Sequence, residues 1–390
     1  ILFLLLALFK MGWISQFLSK AVITGFLFGA AIEVVIGELP KITGTSVEGT
    51  NAWQDLWSWL QSLSSIDTAT LIVGLVSLVM IFGLRFIAPG VPVALVLVIT
   101  GLIASAALGL GERGLALVGD VPSGLPSLSI PNLEFILQNL QVIGAAAIGL
   151  LLIGFSQSAG DARAFATKHK YRVDINQESV AQGMANVGSG LVQGIPVSTS
   201  LSASSLNDTS GAKTPVASLT TGALIILTLL FLAPLFSNLP KAVLAAIIIE
   251  AVVMGMMDIP EMRRLYHVAR VDFWIAIAAI LGVLTSGVLV GVIIGIILSI
   301  GWLIYISVTP HMHVLGRKPG SQVFRGLMDH PDSETYPGLL ILRFDAGLFF
   351  ASSDALTDRL IELYQQAGSP LHTIILDFEG VNFIDSQGAY

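Results

Sequence analysis

The sequence predicts an α-helical polytopic membrane protein followed by a small soluble α/β tail. Two observations carry the first part. The chain is 54% hydrophobic with only 12% charged residues, at a mean hydropathy of +0.83. Apolar runs of about 20 residues, the length that spans a bilayer as a helix, also recur along it. A third observation carries the second part: after about Pro310 the composition turns soluble. With no Cys, disulfides and thiolate metal sites are excluded. The sequence has no nucleotide-binding Gly-Lys-Ser/Thr loop, no metalloprotease motif and no catalytic constellation. It therefore reads as neither an enzyme nor a primary pump, with no cofactor, metal or nucleic-acid partner expected. The chain begins at Ile within an apolar run and stops within a pattern, so both ends are expected to be truncated.

Taken in order, residues 1–17 are apolar apart from Lys10 and predict one spanning or nearly spanning helix. Residues 21–37 predict a second, with Gly25 and Gly29 at the spacing that lets a neighbouring helix approach closely. Residues 38–68 form a polar stretch carrying Trp53, Trp57 and Trp59. Those rings fit either a short amphipathic helix at the membrane interface or a loop packed on the protein. Spans are expected over 70–87 and 92–110, then a Pro-, Ser- and Gly-rich loop over 111–138. A span over 142–158, a charged loop over 161–177 and a less apolar helix over 178–192 follow, with Asp174 and Glu178 favourable at that helix's start. Four further apolar segments, 214–236, 242–257, 272–286 and 288–308, complete the membrane part.

Residues 194–214 interrupt this regularity. The stretch opens Gly194-Ile-Pro and is crowded with hydroxyls, yet it lies between two apolar helical segments. Broken polar backbone at membrane depth is tolerated only where protein buries it or a cavity receives it. A short helix starting near Ser198 would turn its unpaired N–H groups and the positive end of its dipole into such a cavity. The hydroxyls of Ser198, Thr199, Ser200 and Ser202 would add donors, giving an anion site without a net charge. The alternative is a Ser/Thr-rich loop between two helices.

The net charge is −7, but the placement of the charges matters more. One set of loops holds Arg163, Lys168, Lys170, Arg172, Lys213, Arg263, Arg264, Arg270, Arg317, Lys318 and Arg325. The other holds Lys41 and Arg113 against seven acids. The positive-inside rule makes the basic set cytoplasmic and puts the soluble tail inside the cell. The alternation closes only if residues 194–214 enter from the outer side and leave inward at Lys213, which supports a half-helix. Ser19-Lys-Ala-Val-Ile and Pro240-Lys-Ala-Val-Leu open two segments of opposite predicted direction, a trace of inverted repeats.

Several motifs carry a family resemblance: Gly154-Phe-Ser-Gln-Ser-Ala-Gly-Asp-Ala-Arg-Ala-Phe-Ala166, Lys170-Tyr-Arg-Val-Asp-Ile-Asn-Gln-Glu178, Gly183-Met-Ala-Asn186, residues 198–204, Gly211-Ala-Lys-Thr214 and Leu239-Pro-Lys-Ala-Val-Leu-Ala245. In this order they resemble the sulfate permease (SulP) family over nearly the whole chain. Residues 338–390 resemble a STAS domain, whose signature is Ile374-Ile-Leu-Asp-Phe-Glu-Gly-Val-Asn-Phe-Ile-Asp-Ser-Gln-Gly388. The resemblance implies a transport domain over 1–308, a linker over 309–337 and a STAS domain over 338–390. It also implies a seven-plus-seven inverted repeat divided into core and gate, of which roughly the first four segments, including a partner half-helix, precede this chain. The implied activity is secondary active transport of an inorganic anion, sulfate first, by a homodimer in the plasma membrane. Val197, Ser198, Thr199 and Ser200 would then donate backbone N–H groups to the anion, Ser202 and Ser204 would help through hydroxyls, and Phe155, Ser156 and Gln157 would line the opposite wall. The rivals are Na⁺-coupled bicarbonate uptake or anion exchange and, from another class, a membrane-anchored STAS sensor with vestigial transport.

Two positions depart from the family pattern. Gln157 stands where a Glu is common, and Ala203 stands where a Ser-Arg-Ser triplet is common. A lone Glu or Arg at membrane depth is expensive, and the two would compensate each other, so losing both leaves the site neutral. Gln157 cannot ionise, which leaves Asp161, one turn on, as the candidate to carry an H⁺ or Na⁺ co-ion, or else as a helix-end charge. Glu33 and Glu250, inside spans, are read as structural hydrogen-bonding groups or as lying near a membrane end rather than as functional acids, and His311 and His313 as part of a solvated linker rather than a metal site. Ser386 could cap the next helix and is the regulatory candidate, since the corresponding Ser is phosphorylated in bacterial STAS regulators; the alternative is the purely structural turn common in transporters.

Overall fold

The structure, a computed structural model, describes residues 1–16, 19–88, 90–122, 124–367 and 370–389; the side chains of 14–16 and of Ser202 lie outside the described residues. It divides into two compact units, Ile1–Ser299 and Ile300–Tyr390. Among the described residues six helices are long and apolar enough to cross a bilayer by length and composition. Their outward faces carry large apolar side chains such as Ile72, Val79, Phe231 and Ile297. Lipid is the solvent for such faces, and each helix satisfies its own backbone groups there.

The first expected span does not form. Helix α1 covers only Leu2–Leu8, Lys10 takes a left-handed φ of 53°, and a 3₁₀ turn runs over Met11–Gln16. The left-handed residue ends the helix as a C-cap does, and the Gly12 N–H is held by Asn176 Oδ1 at 3.0 Å. Phe17, the end of the expected span, is outside the described residues.

Helix α2, Lys20–Thr43, is the axis of the first unit. Ser19 caps it through the Val22 N–H, and it runs six residues past its expected end to a left-handed Gly44. It packs along α11, Lys241–Met256, and α13, Arg270–Ser286. The glycine spacing read in the sequence makes this contact: a Cβ on Gly25 would lie 2.6 Å from the Ala276 carbonyl oxygen, and one on Gly29 3.0 Å from Val283. Helix α14, Val288–Val308, uses the same device, with Gly295 against Val22.

Helix α3, Ala52–Gln61, carries the three tryptophans. Trp59 Nε1 donates to Thr43 Oγ1 at 3.1 Å, while Trp53 and Trp57 remain exposed. The helix is thus amphipathic and packed on the protein at once. Helices α4, Thr68–Ile87, and α5, Val93–Leu108, flank α11. Asp67 caps α4 through the Thr70 N–H at 2.8 Å. Beyond α5, residues 116–118 pair with the start of α11 through Lys241 N to Ala116 O and Val118 N to Leu239 O, and a short α6 covers Leu133–Gln138.

Helix α7, Leu140–His169, is longer than expected: the first nine residues of the charged loop stay helical, up to a left-handed Lys170. Helix α8, Ile175–Leu191, starts at an Asp174 cap. Helices α9, Leu201–Thr209, and α10, Val216–Leu227, follow, α10 continuing through a π turn and a 3₁₀ turn to Asn238. Between α11 and α13 lies α12, Ile259–Val268, a charged helix that the sequence reading missed.

The second unit contains a four-stranded sheet in the order β2-β1-β3-β4. Strands β1, Met312–Arg317, and β2, Phe324–Gly326, form an antiparallel pair inside the stretch expected as linker. Strands β3, Leu339–Phe344, and β4, Thr373–Asp377, run parallel, joined through α15, Phe350–Gln366. Leu342, Phe344, Leu348 and Leu356 form their core. His313 lies on β1 opposite Arg343 rather than in a solvated linker.

Gly25→Ala is expected to cost about 1–3 kcal/mol through overpacking against α13. Gly37→Ala, whose added methyl meets nothing, should be neutral or stabilising. Thermal unfolding of the two detergent-purified variants checks the pair.

Candidate functional site

The chain break is held open by side chains rather than by secondary structure. After α8, Gln193 takes a φ of 59° and residues 194–200 form neither helix nor strand. Their backbone groups need partners that water cannot supply at membrane depth. Asn186 of α8 supplies two: it accepts from Val197 N at 3.0 Å and donates to Val197 O at 2.9 Å. Gln182 Nε2 donates to the same carbonyl, and Ser189 Oγ to Ile195 O at 2.7 Å. The Val197 N–H, expected among the ligand donors, is therefore engaged by Asn186.

Helix α9 begins at Leu201, later than the expected start near Ser198. The hydroxyls of Ser198 and Thr199 are spent on α7: Ser198 Oγ donates to Gly154 O at 3.4 Å, and Thr199 Oγ1 to Asp161 Oδ2 at 2.7 Å. Ser200 then caps the helix, accepting from Ala203 N at 3.3 Å. This leaves the N–H groups of Leu201 and Ser202 without an intrahelical acceptor. The Ser202 side chain is outside the described residues.

Ser200, Leu201 and Ala203 border a cavity of about 780 Å³, shared with Ser156 and Gln157 of α7. Ser156 is 3% exposed, and its hydroxyl has no hydrogen-bond partner among the described residues. A buried hydroxyl left unpaired costs about 1–3 kcal/mol, so its place on the cavity wall matters. Phe155 does not line that wall: it packs with Phe3 and Leu6 of α1, on the other side of α7. Ser204 also points elsewhere, into a second cavity of about 710 Å³ bordered by Ser158, Asp161, Thr199 and Asp208. Asp161 lies on both cavities.

The far end of α9 is tied down as well. Asp208 accepts from Lys168 Nζ at 2.5 Å and pairs with His169 Nε2 at 2.8 Å, both in the last turn of α7. Asp161 and His169 are about 12 Å apart along α7 at 1.5 Å per residue, and Thr199 and Asp208 bracket a similar length of chain that is helical from Leu201 onward. Helix α9 therefore lies along α7 in the same direction.

Two charged groups escaped the sequence reading. Arg85, in the last turn of α4, donates to Glu250 Oε1 of α11 and borders the first cavity. Glu250 is thus structural, as expected, through an ion pair; an acid and a base isolated in two separate apolar runs were the available signal. Lys20, on the same cavity, is 3.1 Å from Glu261, which also binds Arg264. Among the described residues no group of three or more His, Asp or Glu could hold a metal ion.

In the second unit the expected helix after Ser386 is a turn among the described residues, and Asp385 holds it: it accepts from Gln387 N at 3.0 Å, Gly388 N at 2.7 Å and Phe350 N at 3.0 Å. Ser386 is exposed beside it. The Gly388 N–H first, then that of Phe350, hold the Asp385 carboxyl below its usual range.

A helical membrane bundle that breaks into a half-helix, with its free amides turned into a cavity between helices, has the architecture of a secondary transporter. The chain belongs to the sulfate permease family: residues 1–279 match the family profile, and residues 330–390 match that of the STAS domain. A probable sulfate transporter of Mycobacterium tuberculosis is 31% identical over 370 residues, covering 95% of this chain and 66% of the relative. Sulfate transporter 4.1, chloroplastic, of Arabidopsis thaliana is 31% identical, covering 98% and 58%. The murine Solute Carrier 26 family member A9 anion transporter in the inward-facing state has the same fold, with a TM-score of 0.83 at 24% identity over 99% of this chain and 65% of that one. The chain thus spans about two thirds or less of the length of these proteins.

Because the Asp385 pKa is depressed, the stability it contributes is present above the unfolded value, about 3.9, and is lost as pH falls through the folded value. Amide protection factors at Phe350 and Gly388 are expected to drop in that window, and Asp385→Asn should show the lowered protection already at neutral pH.

Proposed function

We propose that the protein is a secondary active transporter that carries sulfate across the cell membrane by alternating access, the anion resting at the N-terminus of α9. One juxtaposition carries this reading. The uncapped amide of Leu201, the unpartnered Ser156 hydroxyl and the Gln157 amide belong to one cavity. Together they offer neutral donors and the positive end of a helix dipole to an anion. The names of the M. tuberculosis and A. thaliana relatives support sulfate over other inorganic anions. Placing the Lys/Arg-rich loops inside makes the STAS domain cytoplasmic and turns the start of α9 toward the bilayer interior.

Asp161 is the co-ion candidate in this scheme. It is the carboxylate nearest in sequence to Gln157, and Thr199 ties it to the lead-in of α9. A proton or Na⁺ bound there would act directly on the segment that ends at the Ser200 cap.

The full-length parent protein in proteoliposomes should accumulate labelled sulfate under an imposed gradient. Absence of sulfate, bicarbonate and chloride flux under every gradient overturns the transport reading. Varying pH and Na⁺ separately tests coupling: sulfate uptake indifferent to both points to exchange.

Ser156→Ala should raise the sulfate KM about tenfold, the effect of losing one hydrogen bond to a charged ligand. It should leave the unfolding temperature unchanged or higher, because no protein group loses a partner. An unchanged KM with a normal fold removes Ser156 from the site.

A further inference from the structure

Ala203 leaves the half-helix without the cation that its family resemblance leads one to expect, and the structure brings one to the same cavity from another helix. Arg85 closes α4, and among the described residues its guanidinium donates only to Glu250, through Nη1. The two ends of this pair sit in unlike surroundings. The Glu250 side chain is 9% exposed and that of Arg85 46% exposed, and it is Arg85 that borders the cavity of Ser156, Gln157 and Ser200. The carboxylate stands behind and the guanidinium in front, with most of its fork of donors uncommitted.

The charges around the cavity favour a further cation beside a bound dianion. A helix N-terminus is worth about half a unit of positive charge. Asp161 and Asp258 lie on the same cavity; the first is bonded to Thr199, and the second caps α12 through Glu261 N at 2.9 Å. The other cation there, Lys20, pairs with Glu261, which Arg264 shares, and it offers a point charge rather than a planar fork. Half a charge opposed by two carboxylates is a weak hold on a doubly charged ion, whereas a guanidinium, with five N–H donors in a planar fork, binds the oxygens of a tetrahedral oxyanion in pairs.

We propose that Arg85 is a substrate-binding residue that selects divalent oxyanions, with Glu250 holding it in place from behind and limiting its grip. This inference rests on the transport reading above. Arg85 is on α4 and the half-helix is held to α7, so the anion meets both only when α9 stands across the cavity from α4. Arg85 therefore acts in the conformation described here, which by the charge rule opens inward, and discriminates by charge at that face.

The test uses the full-length protein in proteoliposomes, with sulfate as the divalent probe and chloride as the monovalent one. Arg85→Gln should raise the sulfate KM at the inner face about tenfold while changing the chloride KM by less than about threefold, and Arg85→Lys should fall between wild type and Arg85→Gln for sulfate. Arg85→Gln combined with Glu250→Gln separates binding from ion-pair packing: it removes the unpaired buried acid, so a purely structural pair predicts recovery of the sulfate KM. We expect no recovery. Sulfate-induced thermal stabilisation of each purified variant gives the same ranking without relying on flux. An unchanged sulfate KM in Arg85→Gln, equal losses for sulfate and chloride, or recovery in the double variant overturns the role of Arg85 and leaves the site itself standing. A wild type that neither binds nor moves any anion overturns both.

Discussion

Everything in the membrane unit depends on the cost of leaving a backbone amide or carbonyl unpaired in hydrocarbon. Helices answer that cost along most of the chain. Residues 194–200 cannot answer it that way, and the surrounding helices carry polar side chains where the break needs them. Asn186, Gln182 and Ser189 on α8 take up the groups of Ile195 and Val197. On α7, the Gly154 carbonyl and the Asp161 carboxylate receive the next two hydroxyls. Gly154 is small enough to allow this, since a Cβ there would lie 3.4 Å from Ser198 Oγ and 3.3 Å from Phe3. Among the described residues the amides left over include those of Ser198, Thr199 and Ser200 as well as those at the start of α9. The binding surface is drawn from what the side chains of α7 and α8 leave unpaired.

The helices on the other side of the cavity follow a different rule. Apolar side chains gain little from meeting each other in lipid, so α2, α13 and α14 associate by close backbone approach at Gly25, Gly29, Gly291 and Gly295. A contact of this kind has few alternative arrangements, because a small rotation replaces a glycine by a larger residue. Arg85 and Glu250 add a charged tie between α4 and α11 in the same unit. One wall is rigid through glycine packing and the other through polar cross-links, and the cavity lies where the two meet.

Much of this was legible in the sequence. The long apolar runs became helices because a bilayer permits few other structures, and the half-helix was visible as polar backbone chemistry at membrane depth. The errors fall where a distant partner decides. The start of α9 depends on Ser198 and Thr199 finding α7, and nothing local to residues 198–201 encodes that. Phe155 and Ser156 are neighbours about 100° apart on one helix; which of them meets the cavity is settled by Phe3 and Leu6, some 150 residues earlier. The charged end of α7 was read as a loop, yet charged residues are good helix formers once the helix leaves lipid. Strand β1 has the composition of a linker and becomes a strand through its pairing with β3.

Helix α9 is nine residues long, below the length at which a helix persists by itself in water. It is fastened to α7 near both ends, by Thr199 on Asp161 and by Asp208 on Lys168 and His169. A short helix splinted in this way has no independent orientation. Its dipole points wherever α7 directs it, and a tilt of α7 turns the amides of Leu201 and Ser202 through the same angle. The aim of the anion site is then a property of a thirty-residue lever, and a substitution many residues from any ligand can weaken binding simply by bending that lever.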